Sequence, residues 1–434
     1  MSPYLQAQPL PSGPPTSLDK GVLARTDLRS STAQTGGAPA SSDDALLLTG
    51  ATGFVGMALL ARILERTDRR VVVLVRAASQ AEADARVDAL INSVSDSPER
   101  DRERVEAVCG DLTTPGLGLG EARGWIADQV GEIIHGAASV SFNLSLALSR
   151  SINVEGTRRV LELARDCAAS GNGLRRLTYV STAYVAGDRG GYAQEGDLDL
   201  GQSFRNAYER SKQEAERLVS GERERLSLTI VRPSIVVGER ETGWTSSFNV
   251  MYGPVRALAA GAFPAMPGRH DGVVDVVTVD YVADAILALA ASPAAEGGTF
   301  QLVAGDQATT VGEMTRLAAR RFNRRRPRLI PPRFYRSVLH PVMLRRSDPA
   351  RRRRLKASEA YFPYMSLDLR FDDRRARALL DPLGIRVTPI RDCFDTLMDF
   401  AEVAEWGRAP ISRAKTLRPA RLAGRSPRTA AAVA

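Results

Sequence analysis

The fold is decided by the stretch LLLTGATGFVG, residues 46–56. Three leucines of a buried strand run into Gly50, Gly53 and Gly56, and the residues that follow, Met57 to Ile63, have a helical pattern. In such a turn the first glycine permits a tight bend, the second lets backbone N–H groups approach a phosphate, and the third permits close packing of the helix. The helix N-terminus adds partial positive charge. The context of strand, glycine turn and helix therefore predicts a loop that binds a dinucleotide, whereas glycines alone would indicate only a turn.

Working outward from this loop, short apolar runs alternate with helical patterns. The strand patterns are Ala45–Thr49, Val71–Val75, Glu132–His135, Arg176–Val180 and Leu226–Val231. The helical patterns are Phe54–Glu65, Ala81–Val94, Ile152–Ala169 and Ala207–Arg223. Continuous apolar strands separated by helices are typical of a parallel sheet that is covered on both faces. We predict an α/β protein with a Rossmann-type, doubly wound parallel sheet and a smaller C-terminal substrate-binding lobe.

The pattern divides the chain into four segments. They are a disordered leader (residues 1–43), a dinucleotide-binding domain (44–238), a substrate lobe with some elements that return to the first domain (239–408), and a basic disordered tail (409–434). The leader is poor in apolar residues and so cannot offset the entropy of ordering. It contains no secretory signal pattern, and no apolar run in the chain approaches the roughly 20 residues that span a bilayer.

Charge is distributed unevenly along the chain. Lys and Arg exceed Asp and Glu by nine among the 434 residues, but 16 basic residues and one acid lie in the Arg-rich segment 316–356, which belongs to the lobe. The tail from Arg408 to Ala434 has seven basic residues and no acid, so the rest of the chain is acidic overall. This pattern favours a localised anionic partner over a nucleic acid, for which no binding module is recognisable, and solvated charge remains the simpler alternative.

Few residues in the sequence favour metal or disulfide chemistry. The three cysteines, Cys109, Cys167 and Cys393, are far apart, and there are only three histidines. We therefore predict no metal site, no disulfide framework and a reducing, cytoplasmic location.

The residue after the second strand points to the type of dinucleotide. Sites that prefer NAD usually place Asp or Glu there to bind the ribose hydroxyls, but this chain has Arg76. A guanidinium pairs with a 2′-phosphate through two parallel hydrogen bonds, so we predict NADPH rather than NADH. An arginine that only ends a strand in solvent is the alternative. Asp111 and Leu112 follow the third strand, where they are candidates for the adenine edge, and an aspartate that stabilises its own turn is equally compatible.

A second group of residues has the pattern of a proton-transfer site. Tyr208 and Lys212 are four apart on a helical stretch and so share one face. Ser181 and Thr182 end the preceding strand, and Pro233 follows the next one. Reduction of a carbonyl by hydride needs an acid for the developing oxyanion, and a nearby ammonium lowers the pKa of a phenol. Thr182 and Tyr208 would together supply two donors to that oxygen.

These stretches carry a family resemblance. They are the glycine loop, LVRA (74–77), GDLT (110–113), HGAA (135–138), NVEGT (153–157), STAYV (181–185), YERSK (208–212) and RPSIVVG (232–238). The sequence resembles the extended short-chain dehydrogenase/reductase family, and within it the branch of fatty acyl-CoA reductases and the thioester-reductase domains of carboxylic acid reductases. The resemblance covers about residues 45 to 300 and then thins to scattered matches.

The resemblance implies site residues. Thr182, Tyr208 and Lys212 would be the catalytic trio, with Ser181 as the competing hydroxyl, and Arg86 would face the 2′-phosphate with Arg76. The implied cofactor-binding set is Thr49, Gly50, Thr52, Gly53, Phe54, Val55, Gly56, Arg76, Arg86, Asp111, Leu112, Ala137, Ala138, Asn153, Tyr208, Lys212, Pro233 and Ile235. Within it, Asn153 would help to fix the active-site region, and Pro233 and Ile235 would line the nicotinamide.

The predicted activity is NADPH-dependent reduction of an acyl thioester, bound to coenzyme A or an acyl carrier protein, to an aldehyde or alcohol. The Arg-rich segment would bind the anionic carrier, and peripheral contact with anionic lipid is its alternative role. A dehydrogenase or epimerase acting on a sterol, ketone or nucleotide sugar is the second hypothesis. A non-enzymatic NADPH-binding regulator is the third, and it would not need both Tyr208 and Lys212.

Several aromatic and sulfur-containing residues have a simpler interpretation than catalysis. His135 ends an apolar strand, which favours a packed position at the end of the sheet. Trp244, Phe248 and Met251 are expected in the core of the lobe. If they instead line the pocket, together with Phe263 and Met266, the substrate is apolar.

Overall fold

A computed structural model of the protein describes residues 44–248, 250–261 and 265–417, except for the side chains of residues 350, 351, 354, 357, 358 and 360. The predicted leader, residues 418–434 of the predicted tail, and Phe263 lie outside the described residues.

A seven-stranded parallel sheet forms the centre of the molecule. The strands of the protein are β1 (Ala45–Thr49), β2 (Val71–Val75), β3 (Val105–Cys109), β4 (Val130–His135), β5 (Arg176–Val180), β6 (Gly191–Ala193), β7 (Leu228–Pro233), β8 (Ile235–Val237), β9 (Ala265–Pro267), β10 (Val273–Val274), β11 (Val276–Thr278), β12 (Thr299–Leu302), β13 (Thr309–Thr310), β14 (Arg328–Ile330) and β15 (Leu369–Phe371). The order in the large sheet is β12-β7-β5-β4-β1-β2-β3. The predicted doubly wound parallel sheet is confirmed.

The topology identifies the edge at which sheets of this type bind their ligands. β1 pairs with β2 on one side, with Leu46 opposite Val71, and with β4 on the other, with Leu47 opposite Ile133. The chain order therefore reverses between β1 and β4. In open α/β sheets, ligands bind in the crevice at the carboxyl ends of the strands where this reversal occurs.

Helices cover both faces of the sheet. They are α1 (Phe54–Arg66), α2 (Gln80–Val94), α3 (Pro98–Arg102), α4 (Ala122–Gln129), α5 (Leu146–Ala169), α6 (Ala207–Ser220), α7 (Tyr252–Ala259), α8 (Val279–Ala291), α9 (Val311–Arg321), α10 (Pro332–Phe334), α11 (His340–Arg346), α12 (Pro349–Ser358), α13 (Arg374–Leu380), α14 (Ile390–Val403) and α15 (Arg413–Thr416). α1, α2 and α8 contribute to the core on one face, and α4, α5 and α6 to the core on the other. β1, β2 and β4 are buried along their full length, which explains their uninterrupted apolar runs.

The part of the chain after β7 contributes both to the large sheet and to a second apolar core. β12 adds the outermost strand beside β7, and α8 packs on α1. A separate apolar core contains residues of α7, α9 and α14 and of the short strands β8 and β11. The carboxyl edge of the sheet and this second core meet at β8, which follows β7 directly.

The predicted start of a disordered tail at residue 409 is wrong. The structure describes the chain as far as Leu417, including the short helix α15. Arg413 in that helix is buried, and its side chain donates to Glu239 at 2.5 Å and to Glu65. A buried guanidinium needs such partners, so these residues are part of the folded body. No helix among the described residues combines the length and the apolar character that crossing a membrane requires.

Candidate active site

The glycine loop lies at the reversal point of the sheet. Gly50 has a φ of +81°, and a Cβ added to it would lie 2.6 Å from the Ala137 nitrogen. A Cβ on Gly56 would lie 2.0 Å from the Gly50 carbonyl oxygen, while the Gly53 N–H donates to that same oxygen at 2.9 Å. Gly50 and Gly56 are therefore the positions at which the turn excludes any side chain.

The N-terminus of α1 is open toward the carboxyl edge of the sheet. Its cap residue is Gly53, which has no side chain to cap the first N–H groups, and Thr52 and Gly53 are exposed. Phe54 and Val55 are partly buried in the first turn, where the Phe54 ring lies 5.8 Å from that of Trp244. Unpaired N–H groups at a helix N-terminus bind anions, so this cradle fits the pyrophosphate of a dinucleotide.

Thr49 and His135 support the loop from inside the sheet. Thr49 is fully buried, and its hydroxyl contacts His135 Nδ1 at 2.7 Å and accepts from the Ala137 N–H at 3.2 Å. His135 Nε2 contacts the Thr157 hydroxyl at 3.1 Å. Burial lowers the pKa of His135 to about 3, so the ring is neutral at physiological pH. His135 is the packed residue that its strand predicts, and the Thr49 hydroxyl is already used within the protein.

Two arginines come together beside the end of β2. Arg76 is exposed directly after the strand, and Arg86 on α2 donates to the Arg76 carbonyl oxygen. Asp111 accepts from the Thr113 N–H and hydroxyl, each at 2.7 Å, which is the turn-stabilising role left open for it. Leu112 is held in the same loop by its carbonyl, which accepts from Arg159 at 2.7 Å.

Tyr208 and Lys212 share the inner face of α6. Tyr208 is partly buried, and desolvation raises its pKa to about 12 although a hydrogen bond with Thr182 acts in the opposite direction. Lys212 is buried, and its ammonium donates to the Tyr179 hydroxyl and the Val180 carbonyl, both at 2.8 Å. The expectation that Lys212 lowers the pKa of Tyr208 is wrong for this structure, because burial dominates the phenol and the ammonium contacts Tyr179 instead.

The electrostatic state of Lys212 follows from its surroundings. Burial lowers its pKa to about 7, while the carboxylate of Glu216, one turn further along α6, opposes that shift. Nζ also lies 4.3 Å from the centroid of the Tyr179 ring. Tyr179 is absent from the predicted site, since nothing in its strand pattern distinguishes it from a core aromatic residue.

Ser181 and Thr182 point to different partners. Ser181 donates to Glu216 at 2.5 Å, and Glu216 in turn forms a buried ion pair with Arg232 at 2.6 Å. Thr182 donates to the Pro233 carbonyl at 3.4 Å, accepts from the Tyr184 N–H at 3.3 Å and lies beside Tyr208. Of the two hydroxyls, Thr182 is thus the one adjacent to the phenol.

Asn153 connects two sides of the site. It is buried on α5, accepts from the Ser139 N–H at 2.7 Å, and donates to the Ser139 carbonyl at 3.1 Å and to the Ser211 hydroxyl at 2.9 Å. The loop after β4, which contains the partly exposed Ala137 and Ala138, is thereby attached to α6. Asn153 acts on the geometry of the site through the Ser139 backbone and the Ser211 side chain.

An aromatic wall that the sequence pattern does not reveal closes the site beside Tyr208. The Phe142 ring lies 5.8 Å from that of Tyr208 and stacks on that of Tyr364 at 5.4 Å. The Tyr364 hydroxyl donates to the buried Glu209 carboxylate at 2.5 Å and accepts from the Asn206 side chain at 2.7 Å. Because Tyr364 is far from α6 in the chain, only the folded structure brings it to the site.

An apolar cavity of about 50 Å³ lies behind this wall. It is lined by Ile235, Val250, Met251, Pro254, Val255, Leu258, Met266, Val274, Val311, Met314, Thr315, Ala318, Tyr364 and Met365. Ile235 lies two residues after Pro233, and Tyr364 stacks on Phe142, so the cavity adjoins the site. Trp244 and Phe248 are packed elsewhere, whereas Met251 and Met266 belong to the lining.

Comparison with known proteins agrees with this architecture. The model of the NAD-binding family described as male sterility protein matches residues 48–286. An isonitrile lipopeptide synthase of Streptomyces coeruleorubidus is 36% identical over 300 residues, which are 66% of this chain and 19% of the synthase. Fatty acyl-CoA reductase 1 of Mus musculus is 32% identical over 281 residues, 56% of this chain and 54% of the reductase. The chain thus spans about a fifth of the synthase and about half of the reductase.

Solved structures show the same fold over most of the chain. The terminal R domain of the myxalamid PKS-NRPS biosynthetic pathway has a TM-score of 0.72 and 26% identity, with 85% of this chain and 93% of that domain covered. The reductase domain of a nonribosomal peptide synthetase from Mycobacterium tuberculosis has a TM-score of 0.65 at 21% identity, with 86% and 93% covered. Because the family model matches more than half of the chain, the protein belongs to the NAD-binding male sterility family, an oxidoreductase family within the fatty acyl-CoA reductase and reductase-domain branch of the extended short-chain dehydrogenases/reductases.

Proposed function

We propose that the protein reduces an acyl thioester with NADPH, and that Thr182, Tyr208 and Lys212 carry the chemistry. The observation that supports this most directly is the placement of the Thr182 hydroxyl and the Tyr208 phenol side by side, next to an apolar cavity at the carboxyl edge of the sheet. Two-electron reduction of a thioester replaces the C–S bond by C–H and releases an aldehyde and a thiol.

The coenzyme is assigned to the crevice between β1 and β4. The glycine loop and the open N-terminus of α1 would hold its pyrophosphate, and Arg76 and Arg86 its 2′-phosphate. NADPH supplies the hydride when bound. No acid stands at the Arg76 position, and this supports the phosphorylated coenzyme over NADH.

Tyr208 and Thr182 act on the carbonyl oxygen of the substrate. With a pKa of about 12, the phenol keeps its proton at neutral pH and can donate it as negative charge develops on that oxygen. The Thr182 hydroxyl is the second donor to the same atom. Lys212, held by Tyr179 and Val180, adds positive charge one helical turn away from Tyr208 on α6 when it is protonated.

The acyl chain is assigned to the apolar cavity. Its free volume of about 50 Å³ is small. Four methionines are among its lining residues, Met251, Met266, Met314 and Met365, and their flexible side chains can move aside to admit a longer chain. We assign the thioester to coenzyme A or an acyl carrier protein, both of which carry acyl groups as thioesters. The product is an aldehyde, or an alcohol after a second reduction.

The proposal is tested by following NADPH oxidation with a series of acyl-CoA substrates, with free thiol measured and products identified by mass spectrometry. One NADPH per thiol indicates an aldehyde, and two indicate an alcohol. Tyr208→Phe is expected to lower kcat by at least about 10²-fold with NADPH affinity nearly unchanged. Tyr192→Phe, at an exposed tyrosine, is the matched control. Turnover of a ketone or nucleotide sugar without turnover of any thioester would favour the second hypothesis.

Coenzyme choice is tested separately. Arg76→Asp is expected to weaken NADPH binding by about 10²-fold and NADH binding far less, because a carboxylate repels the 2′-phosphate. Arg70→Asp makes the same charge change at the opposite end of β2, where Arg70 is exposed, and should leave both affinities unchanged. An unaltered preference in the Arg76 variant would contradict the assignment.

A further inference from the structure

The surface formed by residues 332–346 has an unusual exposed apolar stripe. α10, a π-helical turn over Tyr335–Leu339, and α11 form one continuous helical stretch. Phe334, Val338 and Val342 on it are 53%, 45% and 43% exposed. They are three of only eight large apolar side chains that are exposed in the described part of the chain, so exposed apolar surface is concentrated here.

The spacing of the stripe places its members on one side of the helical stretch. On an α-helix, each step of four residues turns the side-chain direction about 40° beyond one full turn around the helix axis. A π turn has more residues per turn, so the π turn between Phe334 and Val342 rotates the side-chain direction back and keeps the three side chains on one side. The adjacent positions Tyr335 and His340 are buried, so one side of the stretch packs on the protein and the apolar stripe faces outward.

Cations flank the outward stripe. Arg333, Arg336, Arg345 and Arg346 are exposed on the same stretch, and Arg353 and Lys356 are exposed on α12. None of these six side chains forms an ion pair within the part of the chain that the structure describes. Of the two acids between residues 324 and 359, Glu359 is engaged by His340 at 2.8 Å. Unpaired like charges repel one another, so an anionic partner would stabilise this surface.

The inner side of the same stretch packs on a segment that also lines the apolar cavity. Tyr335 and His340 pack edge-on against Phe362, with ring centroids 5.4 and 5.2 Å away. Phe362 lies on the 3₁₀ segment Glu359–Ser366, and Tyr364 and Met365 of that segment line the cavity. The surface helix and the cavity therefore share one supporting segment.

From these observations we infer that the 332–346 stretch docks on the surface of an anionic phospholipid bilayer. Phe334, Val338 and Val342 insert among the headgroups, and the flanking arginines bind lipid phosphates while their stems lie along the apolar layer. An outward apolar stripe bordered by arginines on one helical stretch is the pattern of an interfacial helix. A carrier protein would need a surface whose shape matches both the apolar stripe and the charges of α12. A fluid bilayer needs no such matching surface, so lipid is favoured over a carrier protein.

Docking would place the cavity beside the layer in which long acyl chains reside. This last step rests on the proposed thioester activity, whereas the docking itself rests only on the surface.

The test uses the full chain and co-sedimentation with vesicles of phosphatidylglycerol and phosphatidylcholine, compared with phosphatidylcholine alone. We expect binding to the anionic vesicles that weakens as salt is raised. Phe334→Ser/Val338→Ser/Val342→Ser and, separately, Arg345→Gln/Arg346→Gln should each weaken binding by about tenfold or more. Leu200→Ser/Leu383→Ser, at residues that are each 57% exposed elsewhere, is the matched control and should bind normally.

Two readouts keep the result interpretable. All variants should keep the wild-type melting temperature and the wild-type activity on a short, soluble acyl thioester. Absence of vesicle binding, or equal binding by the triple serine variant, would overturn the inference. Loss of affinity for an acidic acyl carrier protein in that variant, without vesicle binding by the wild type, would instead assign the surface to the carrier. Stripe-dependent vesicle binding without thioester turnover would leave the docking intact and refute the proposed activity.

Discussion

At the scale of single residues, adjacent side chains of the candidate active site have different partners. Thr182 has an extended backbone, with φ −151° and ψ 148°. Successive side chains on extended backbone point in opposite directions. Ser181 therefore meets the buried Glu216 and Arg232 pair, and Thr182 meets the Tyr208 side. The sequence places both hydroxyls at the end of a strand but does not determine which one lies beside Tyr208.

Substitution of each hydroxyl should separate chemistry from stability. Thr182→Val is expected to lower kcat by about 10²-fold, because it removes a donor to the substrate oxygen, and to lower the free energy of unfolding by only about 1 kcal/mol, because its bonds to Pro233 and Tyr184 are long. Ser181→Ala should leave kcat within about threefold but lower the free energy of unfolding by about 1–3 kcal/mol, since Glu216 loses a buried donor. Steady-state kinetics and urea unfolding measure the two effects. The reverse pattern would make Ser181 the catalytic hydroxyl.

His135 should make the fold sensitive to acid. Its pKa is lowered from 6.5 to about 3 in the folded protein, so between these values the unfolded chain binds a proton that the folded chain does not. The stability that depends on His135 is therefore complete above pH 6.5 and is lost as pH falls, by up to about 1.4 kcal/mol per pH unit.

The measurement is urea unfolding at several pH values for the wild type and for His135→Gln, which does not titrate. The free energy of unfolding should fall less steeply below pH 6.5 in this variant than in the wild type. His270→Gln, at an exposed histidine, should keep the wild-type slope. Equal slopes for all three proteins would show that His135 does not contribute to acid sensitivity.

At the scale of elements, the turn between β1 and α1 depends on the absence of side chains. Gly56→Ala would bring a Cβ to 2.0 Å from the Gly50 carbonyl, so the turn must move. We expect a loss of about 1–3 kcal/mol in the free energy of unfolding and at least tenfold weaker NADPH binding. Gly124→Ala, at an exposed position of α4 where an added Cβ has no atom within 4 Å, should be neutral or slightly stabilising. Coenzyme titration and urea unfolding check both, and normal binding by the Gly56 variant would contradict the assigned cradle.

Elements were predictable where burial made their pattern uniform. β1, β2 and β5 have the predicted bounds, and α1 begins at the predicted Phe54. α5 begins at Leu146, six residues before the predicted start, because Ser145 caps it by accepting from the Leu148 N–H. The residues between contain serines and an arginine, so apolar periodicity alone does not reveal this first part of the helix.

At the scale of the whole molecule, Arg413 attaches the end of the described chain to its core. Arg413→Met is expected to lower the free energy of unfolding by about 3–5 kcal/mol, because Glu239, only 4% exposed, would lose its cation. Arg408→Met removes an exposed charge from the same region and should change stability by less than about 0.5 kcal/mol. Urea unfolding of the two variants is the measurement. Equal stabilities would show that Arg413 does not hold residues 409–417 in the fold.

The sequence by itself determined the doubly wound sheet, the glycine loop and the spacing of Tyr208 and Lys212. These features depend on local patterns: uniform burial of parallel strands, a turn that only glycine permits, and two residues one helical turn apart. Only the tertiary structure decided that Lys212 contacts Tyr179, that Tyr364 closes the site, and that Phe334, Val338 and Val342 face outward. Each of these depends on which distant segments pack together and which face of a helix they cover, and no local pattern in the chain encodes that.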